Sequence, residues 1–358
     1  MNKRKILSLL FLILIMPLMS SCYDYSEIER EILIFTLGVD KIKTGYEVSA
    51  ETIDASDYGG QLSVKPEIIT STGNSIFDAI SKLDGKFNNK VNLSHCELII
   101  IGENYAKSDS INDILSLVLE KNNLRFNTIL TTTYKSSAKD ILNSKSHTET
   151  FHGFEIIEQL SKNKLFTNNS RAYRVINTIE NKGKEAILPV IKNTEEGEKK
   201  NFYANKIAVL KKDKLIGYIE EKDVNFYSFL MNEKNSIQLN LKKNNNTINT
   251  KITLNNTKEK IENNTLNINM DVNAYIESIE NKNITEKEIE NEIKKNITKE
   301  LISLIDVVQK KFKVDIFGYG YRLNNFKEKS SVEDWNKYFE TLKKNVYVNV
   351  NLKEDMEE

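Results

Sequence analysis

Two cysteines and three histidines are the chain's whole supply of thiols and imidazoles. Cys22 stands at the end of a distinctive stretch. Lys3, Arg4 and Lys5 form a positive patch, Ile6 to Leu18 is almost wholly apolar, and Met19-Ser20-Ser21 leads into the thiol. That order is an export signal. Ser20 and Ser21 are small enough to let an extended backbone enter a peptidase site. A cysteine at the cleavage point predicts attachment of a diacylglycerol, with the signal cut just before Cys22. The rival readings are ordinary secretory cleavage, which leaves a free thiol, and an uncleaved membrane helix. The apolar run is 13 residues long, against the roughly 20 that a spanning helix needs. A diacylglycerol supplies the two chains that stable anchoring requires, each buried methylene contributing ~0.8 kcal/mol. Residues 1–21 are thus expected to be a lipoprotein signal and residues 22–31 a polar tether.

The remaining reactive groups do not assemble into a recognisable centre. With Cys22 acylated, Cys96 stands alone, so the exported body must hold together by side-chain packing without an intrachain disulfide. His147 and His152 are five apart and point to different helix faces, and no cysteine or close carboxylate pair completes a metal set with them. His95 and Cys96 are neighbours; on a strand they would face opposite ways and could not form a thiol–imidazole pair. No G-x-S-x-G elbow and no phosphate-cradling glycine loop is present. Gly318-Tyr319-Gly320 has Leu323 where a dinucleotide fingerprint requires glycine. Among 51 acidic residues, carboxylate pairs arise by chance, and a glycosidase pair is the enzymatic alternative. The expectation is a protein without catalytic residues, metal or cofactor.

The elements that would carry these residues divide the chain. The full chain is neutral, and loss of the signal removes three positive charges, which argues against nucleic acid and against polybasic attraction to lipid. Ile32 to Val39 reads as a buried strand and Gly45 to Ile53 as its antiparallel partner. Asp54 to Lys65 reads as a loop around Gly59-Gly60. A helix over Asn74 to Leu83, a central strand over Glu97 to Gly102, a helix over Ile111 to Glu120 and a Thr-rich strand over Asn127 to Tyr134 follow. Short helices begin at Ala138 and Phe151. This alternation predicts a mixed α/β region over 32–195, with Gly183 to Lys200 as the boundary.

The second half, 201–358, reads as α+β. A hairpin (Ala204 to Leu210, Lys214 to Ile219) and a short helix (Asp223 to Met231) precede alternating strands over Ser236 to Leu241, Ile248 to Leu254 and Thr265 to Ile276, the last with one face buried and one wet. Thr285 and Glu288 form a capping box. From Ile289 to Phe312 the apolar residues recur every three or four positions, predicting one long helix to about Lys313 that lies across the sheet. A helix containing Trp335 and an alternating strand over Asn345 to Leu352 close the fold. Gly318 and Gly320 are expected to make a fold-defining turn, with Asp315 bonding nearby backbone amides.

Several segments together resemble the Ger(x)C family of spore germination lipoproteins. They are Cys22-Tyr23-Asp24 with Glu27-Ile28; Leu37-Gly38-Val39-Asp40-Lys41; Thr72-Gly73-Asn74-Ser75 through Leu83, then Leu93-Ser94-His95 into Leu98-Ile99-Ile100-Ile101-Gly102-Glu103; and Lys313-Val314-Asp315-Ile316-Phe317-Gly318-Tyr319-Gly320, Trp335 and Val346 to Leu352. Tyr23 stands where the family has tryptophan, and the family's late glycine is absent. The resemblance implies a non-enzymatic subunit of a nutrient germinant receptor, anchored through Cys22 on the outer face of the spore inner membrane. It would sit beside two integral-membrane subunits, one of them permease-like. The alternative is a solute-binding lipoprotein of an importer, which would build two doubly wound lobes around a cleft.

Overall fold

The computed structural model describes Arg4 and residues 31–353, apart from 59–60, 88–89, 120–123, 145–150, 182, 197–198, 244–245, 281–283 and 324–330. Its first element, β1 (Glu31–Ile42), pairs antiparallel with β2 (Gly45–Tyr58), which pairs with β3 (Gln61–Gly73). The expected loop over 54–65 is thus part of a long hairpin. Leu62 and Val64 alternate there with Gln61, Ser63 and Lys65, a pattern too short to stand out beside Gly59-Gly60 and the polar residues before them. After α1 (Ile76–Asp84) and the short β4 (Lys90–Asn92), the run Leu98-Ile99-Ile100-Ile101 forms β5 (Leu98–Ile101), buried at every position. Helices α2 (Glu103–Ser108) and α3 (Asn112–Leu119) return the chain to β6 (Ile129–Thr133).

Next come four helices, α4 (Ala138–Leu142), α5 (His152–Ser161), α6 (Lys164–Asn169) and α7 (Ala172–Glu180), then the strands β7 (Ile187–Glu196), β8 (Lys199–Lys211) and β9 (Lys214–Ile219). The large sheet runs β3-β2-β1-β5-β6-β7-β8-β9, with β4 also on β1. Its centre, β1-β5-β6-β7, is parallel. Parallel strands require cover on both faces. Leu37, Val39, Ile99, Ile101 and Leu130 bury against α1–α3 and α7, and Leu98, Ile100 and Ile129 against α4–α6. The threonines of β6 are buried too, and their hydroxyls are satisfied by main-chain carbonyls: Thr131 donates to Pro189 O (2.9 Å), Thr132 to Ile101 O (2.9 Å) and Thr133 to Ser136 O (2.5 Å).

The charged run expected to mark the domain boundary is the tip of the β7–β8 hairpin, where Glu195 pairs with Lys200 and Glu196 with Lys199. The chain leaves the large sheet only after β9, through α8 (Glu221–Leu230).

The small sheet is β10 (Ser236–Lys243), β11 (Asn246–Glu262), β12 (Thr265–Ile279) and β13 (Lys343–Lys353). Its first three strands are antiparallel, and β13 joins parallel to β12. Leu266, Ile268, Met270, Val272 and Ala274 are buried, as their alternation requires. They lie under α9 (Glu286–Asp306), whose stripe Ile289, Ile293, Ile297, Leu301, Leu304 and Ile305 is also buried. Its capping box forms as expected: Thr285 N donates to Glu288 Oε2 (3.0 Å) and Glu288 N to Thr285 Oγ1 (3.3 Å). The long helix then widens into a π turn (Val307–Phe312) and stops at Lys313, whose φ is 58°. The turn carries Gln309 inward, where its amide donates to Phe339 O (2.7 Å) and Leu342 O (3.1 Å). Short α10 (Tyr319–Arg322) and α11 (Val332–Thr341) complete the lobe. The architecture is the expected mixed α/β region followed by an antiparallel-rich sheet under a long helix. One apolar core runs continuously from the α4–α6 face into the small lobe.

Candidate functional site

The densest set of buried polar groups lies where the two lobes meet, around Asp315. Asp315 is 0 % exposed. One carboxylate oxygen accepts from Phe317 N (2.9 Å) and Gly318 N (2.8 Å), the other from Gly320 N (3.0 Å) and Trp335 Nε1 (2.9 Å). Such a turn asks for glycine. Gly318 has φ of 75°, and a Cβ on Gly320 would lie 2.6 Å from Trp335 Cε2 and 2.9 Å from Gly183 Cα. The Asp315 backbone binds outward: its N–H donates to Asn336 Oδ1 (3.0 Å) and its carbonyl accepts from Glu185 N (2.8 Å). Asn336 Nδ2 donates to Glu185 Oε1 (3.0 Å), and Lys212 N to Glu185 Oε2 (2.7 Å). Glu185 precedes β7 and Lys212 links β8 to β9, so the cluster rivets the small lobe to the large sheet. Burial pushes the Asp315 carboxyl up to about 6 against the pull of its four donors. Burial likewise raises Glu185 and lowers the Lys184 ammonium.

The other motifs carry structural bonds of the same kind. Asp40 Oδ1 and Oδ2 accept from Ala138 N (2.8 Å) and Lys139 N (2.9 Å), capping α4. Gly102 has to lack a side chain, since its Cβ would fall 1.9 Å from Asp40 Oδ1. Glu51, 0 % exposed in mid-strand, is a site that sequence reasoning missed. It accepts from Thr36 Oγ1 (2.7 Å), His152 N (2.7 Å) and Gly153 N (3.0 Å) and lies 3.1 Å from His152 Nδ1. The other ring nitrogen of His152 lies 2.6 Å from Ser144 O. Burial opposes protonation of His152, but Glu51 and the Ser144 carbonyl outweigh it and hold its pKa above the ordinary value. The one sign in the sequence was an acidic residue among the strand residues Val48, Ala50 and Thr52; its partner lies 101 positions away.

Cys96 is 0 % exposed; burial pushes its thiol up to about 12, and it bonds Leu98 O (3.4 Å). His95 and Cys96 sit in the turn before β5 and not on a strand, so the expected opposite-face geometry does not apply. Cys22, the signal apart from Arg4, the tether as far as Arg30, and His147 lie outside the described residues. Among the described residues no group of three His, Cys, Asp or Glu could hold a metal, and no helix is long and apolar enough to cross a membrane. A shallow cleft of 330 Å³ opens between α5–α6 and the start of β10, lined by Lys162, Lys164, Tyr203, Glu233 and Lys234 among others.

Comparison with known proteins fits this organisation. Residues 24–193 match the family described as spore germination protein, N-terminal domain. Residues 205–355 match spore germination B3/GerAC like, C-terminal. The two matches meet across the β7–β8 hairpin. The putative spore germination protein YfkR of Bacillus subtilis (strain 168) is 25% identical over 245 residues, which span 64% of this chain and 62% of that relative. The crystal structure of the GerBC protein shares the fold, with a TM-score of 0.51 at 14% identity, over 88% of this chain and 96% of that one. Both domains, in order and over nearly the whole described body, make the chain a member of the Ger(x)C family of spore germination proteins.

Proposed function

We propose that this chain is a lipid-anchored subunit of a nutrient germinant receptor, held by a diacylglycerol on Cys22 at the outer face of the spore inner membrane. It acts there by contact with two integral-membrane subunits, one of them permease-like. Family membership supports the receptor context, and the signal ending in Ser20-Ser21-Cys22 supports the anchor. The observation that carries a contact role is the commitment of the buried carboxylates. Asp315, Glu185, Asp40 and Glu51 each spend their lone pairs on backbone amides and fixed side chains. A general acid or base needs a free lone pair or proton facing substrate. An anchor confines the body to two dimensions and raises its effective concentration beside membrane partners. The importer alternative requires two doubly wound lobes; here the second sheet has its helices on one side.

Replacing Cys22 tests the anchor. Cys22→Ala is expected to abolish incorporation of labelled palmitate and processing of the signal, and retention of the label would overturn the assignment. Deleting the gene is expected to remove the response to one class of nutrient with sporulation intact. Unchanged germination toward every nutrient would overturn the receptor role.

A further inference from the structure

The chain has six arginines, and three of them, Arg125, Arg171 and Arg174, gather beside three exposed apolar side chains. Leu119 is 56 % exposed, Phe126 57 % and Tyr173 36 %. Backbone bonds fix the group. Tyr173 N donates to Phe126 O (2.9 Å) and Ala172 N to Thr128 O (2.9 Å), and the Arg171 guanidinium donates to Asn127 O (3.2 Å). Arg174 Nε donates to the Tyr173 hydroxyl (3.1 Å), its guanidinium 5.6 Å from that ring's centre. Arg125 pairs with Glu97 (3.0 Å), so the group keeps a net positive charge. Leu119 closes α3, which packs on α7, the helix carrying Tyr173 and Arg174.

Topology says where this patch points. Because β1, β5 and β6 are parallel, the segment before β6 that carries Arg125 and Phe126 lies at the same end of the sheet as Glu31, where β1 begins. From Cys22 to Glu31 there are nine peptide steps, which reach about 30 Å at full extension. A body on so short a leash presents that end to the surface holding the leash. Aromatic rings and a leucine on a face shared with arginines match the boundary between acyl chains and anionic headgroups. Arginine also gives planar, two-pronged recognition of phosphate.

Taking the Cys22 anchor as given, we infer that Leu119, Phe126 and Tyr173 seat in the bilayer interface while Arg125, Arg171 and Arg174 contact lipid phosphates. The membrane is thereby a second binding partner of the folded body, and it fixes which face turns toward the membrane subunits. The acylated full chain, in vesicles of phosphatidylcholine with or without phosphatidylglycerol, tests this. An environment-sensitive dye is placed through Phe126→Cys, Tyr173→Cys or, as control, Asn349→Cys on the open face of the small sheet. Cys96 is buried and Cys22 is acylated, so labelling is confined to the new thiol. Quenching by lipids carrying spin labels in the bilayer is expected at 126 and 173 and not at 349, by at least about twofold as suits interfacial depth. Arg174→Glu is expected to weaken the quenching and its dependence on phosphatidylglycerol, with the unfolding midpoint unchanged. Equal quenching at all three positions in chains that carry the palmitate label would overturn the inference and leave the anchor intact. So would protection of the dye that appears only with the membrane subunits present, which would make the patch a protein interface. Loss of the label would instead refute the anchor.

Discussion

Each lobe buries a carboxylate beneath a helix or turn, and the two solve the same problem with different partners. In the large lobe Glu51 meets two backbone amides, a threonine hydroxyl and an imidazole that can itself be charged. At the seam Asp315 meets three backbone amides and an indole, all neutral. A buried charge with a titratable partner shares its desolvation cost with a counter-ion; one with neutral donors bears it alone. The Asp315 carboxyl is accordingly pushed up, and on the Glu51 side it is His152 that shifts upward.

The comparison breaks most visibly on deletion. Asp315→Ala strands three N–H groups and the Trp335 indole in a dry seam, and a loss of about 3–5 kcal/mol is expected from chemical denaturation. Glu51→Ala leaves two amides and Thr36 without their acceptor and His152 held only by the Ser144 carbonyl, and about 2–4 kcal/mol is expected. Parity between Asp315→Ala and a surface change would show that the seam is not a rivet. Gly320→Ala presses a methyl onto Trp335 and Gly183, and overpacking of this kind costs about 1–3 kcal/mol; near-neutrality would mean that the two backbones part without penalty.

Titration sharpens the contrast. His152 sits above its ordinary 6.5 in the fold, so its contribution is complete below that pH and is lost as pH rises through the higher folded value. Asp315 sits at about 6 against an ordinary 3.8. The folded state therefore holds its proton more tightly, and that stabilisation is complete below 3.8 and gone above about 6. Stability measured against pH is expected to fall in two windows. His152→Gln should remove the upper slope and Asp315→Asn the lower. A single slope abolished by either variant would merge the two sites into one. The smallest effect belongs to Asp40→Ala, which unmakes a helix cap beside an intact Ser137–Asp140 box, with about 1–2 kcal/mol expected.

The capping boxes, the Leu98–Ile101 run, the α9 stripe and the Gly318–Gly320 turn were legible because each is a local pattern: a period, a spacing, a residue with special backbone freedom. The hairpin over 54–65 escaped because its only alternation, Leu62 and Val64 among polar residues, is short and follows a Gly-Gly pair that reads as loop. The charged run near 195 read as a linker and forms a hairpin tip, because such a run looks alike in both. Helices α6 and α7 went unread: α6 buries only Leu165 and Phe166, and α7 only Ala172, Val175 and Ile176.

By itself the sequence determined the class of fold, the amphipathic faces and the aspartate that closes the glycine turn. Those follow from neighbours along the chain. Tertiary structure alone decided that Glu51 meets His152, that Glu185 meets Asn336 151 positions away, that β13 runs parallel to β12, and that three arginines share one surface with Phe126. The reason is physical: a buried polar group must find its partner in space, and chain order does not record which distant group will be folded within 3 Å of it.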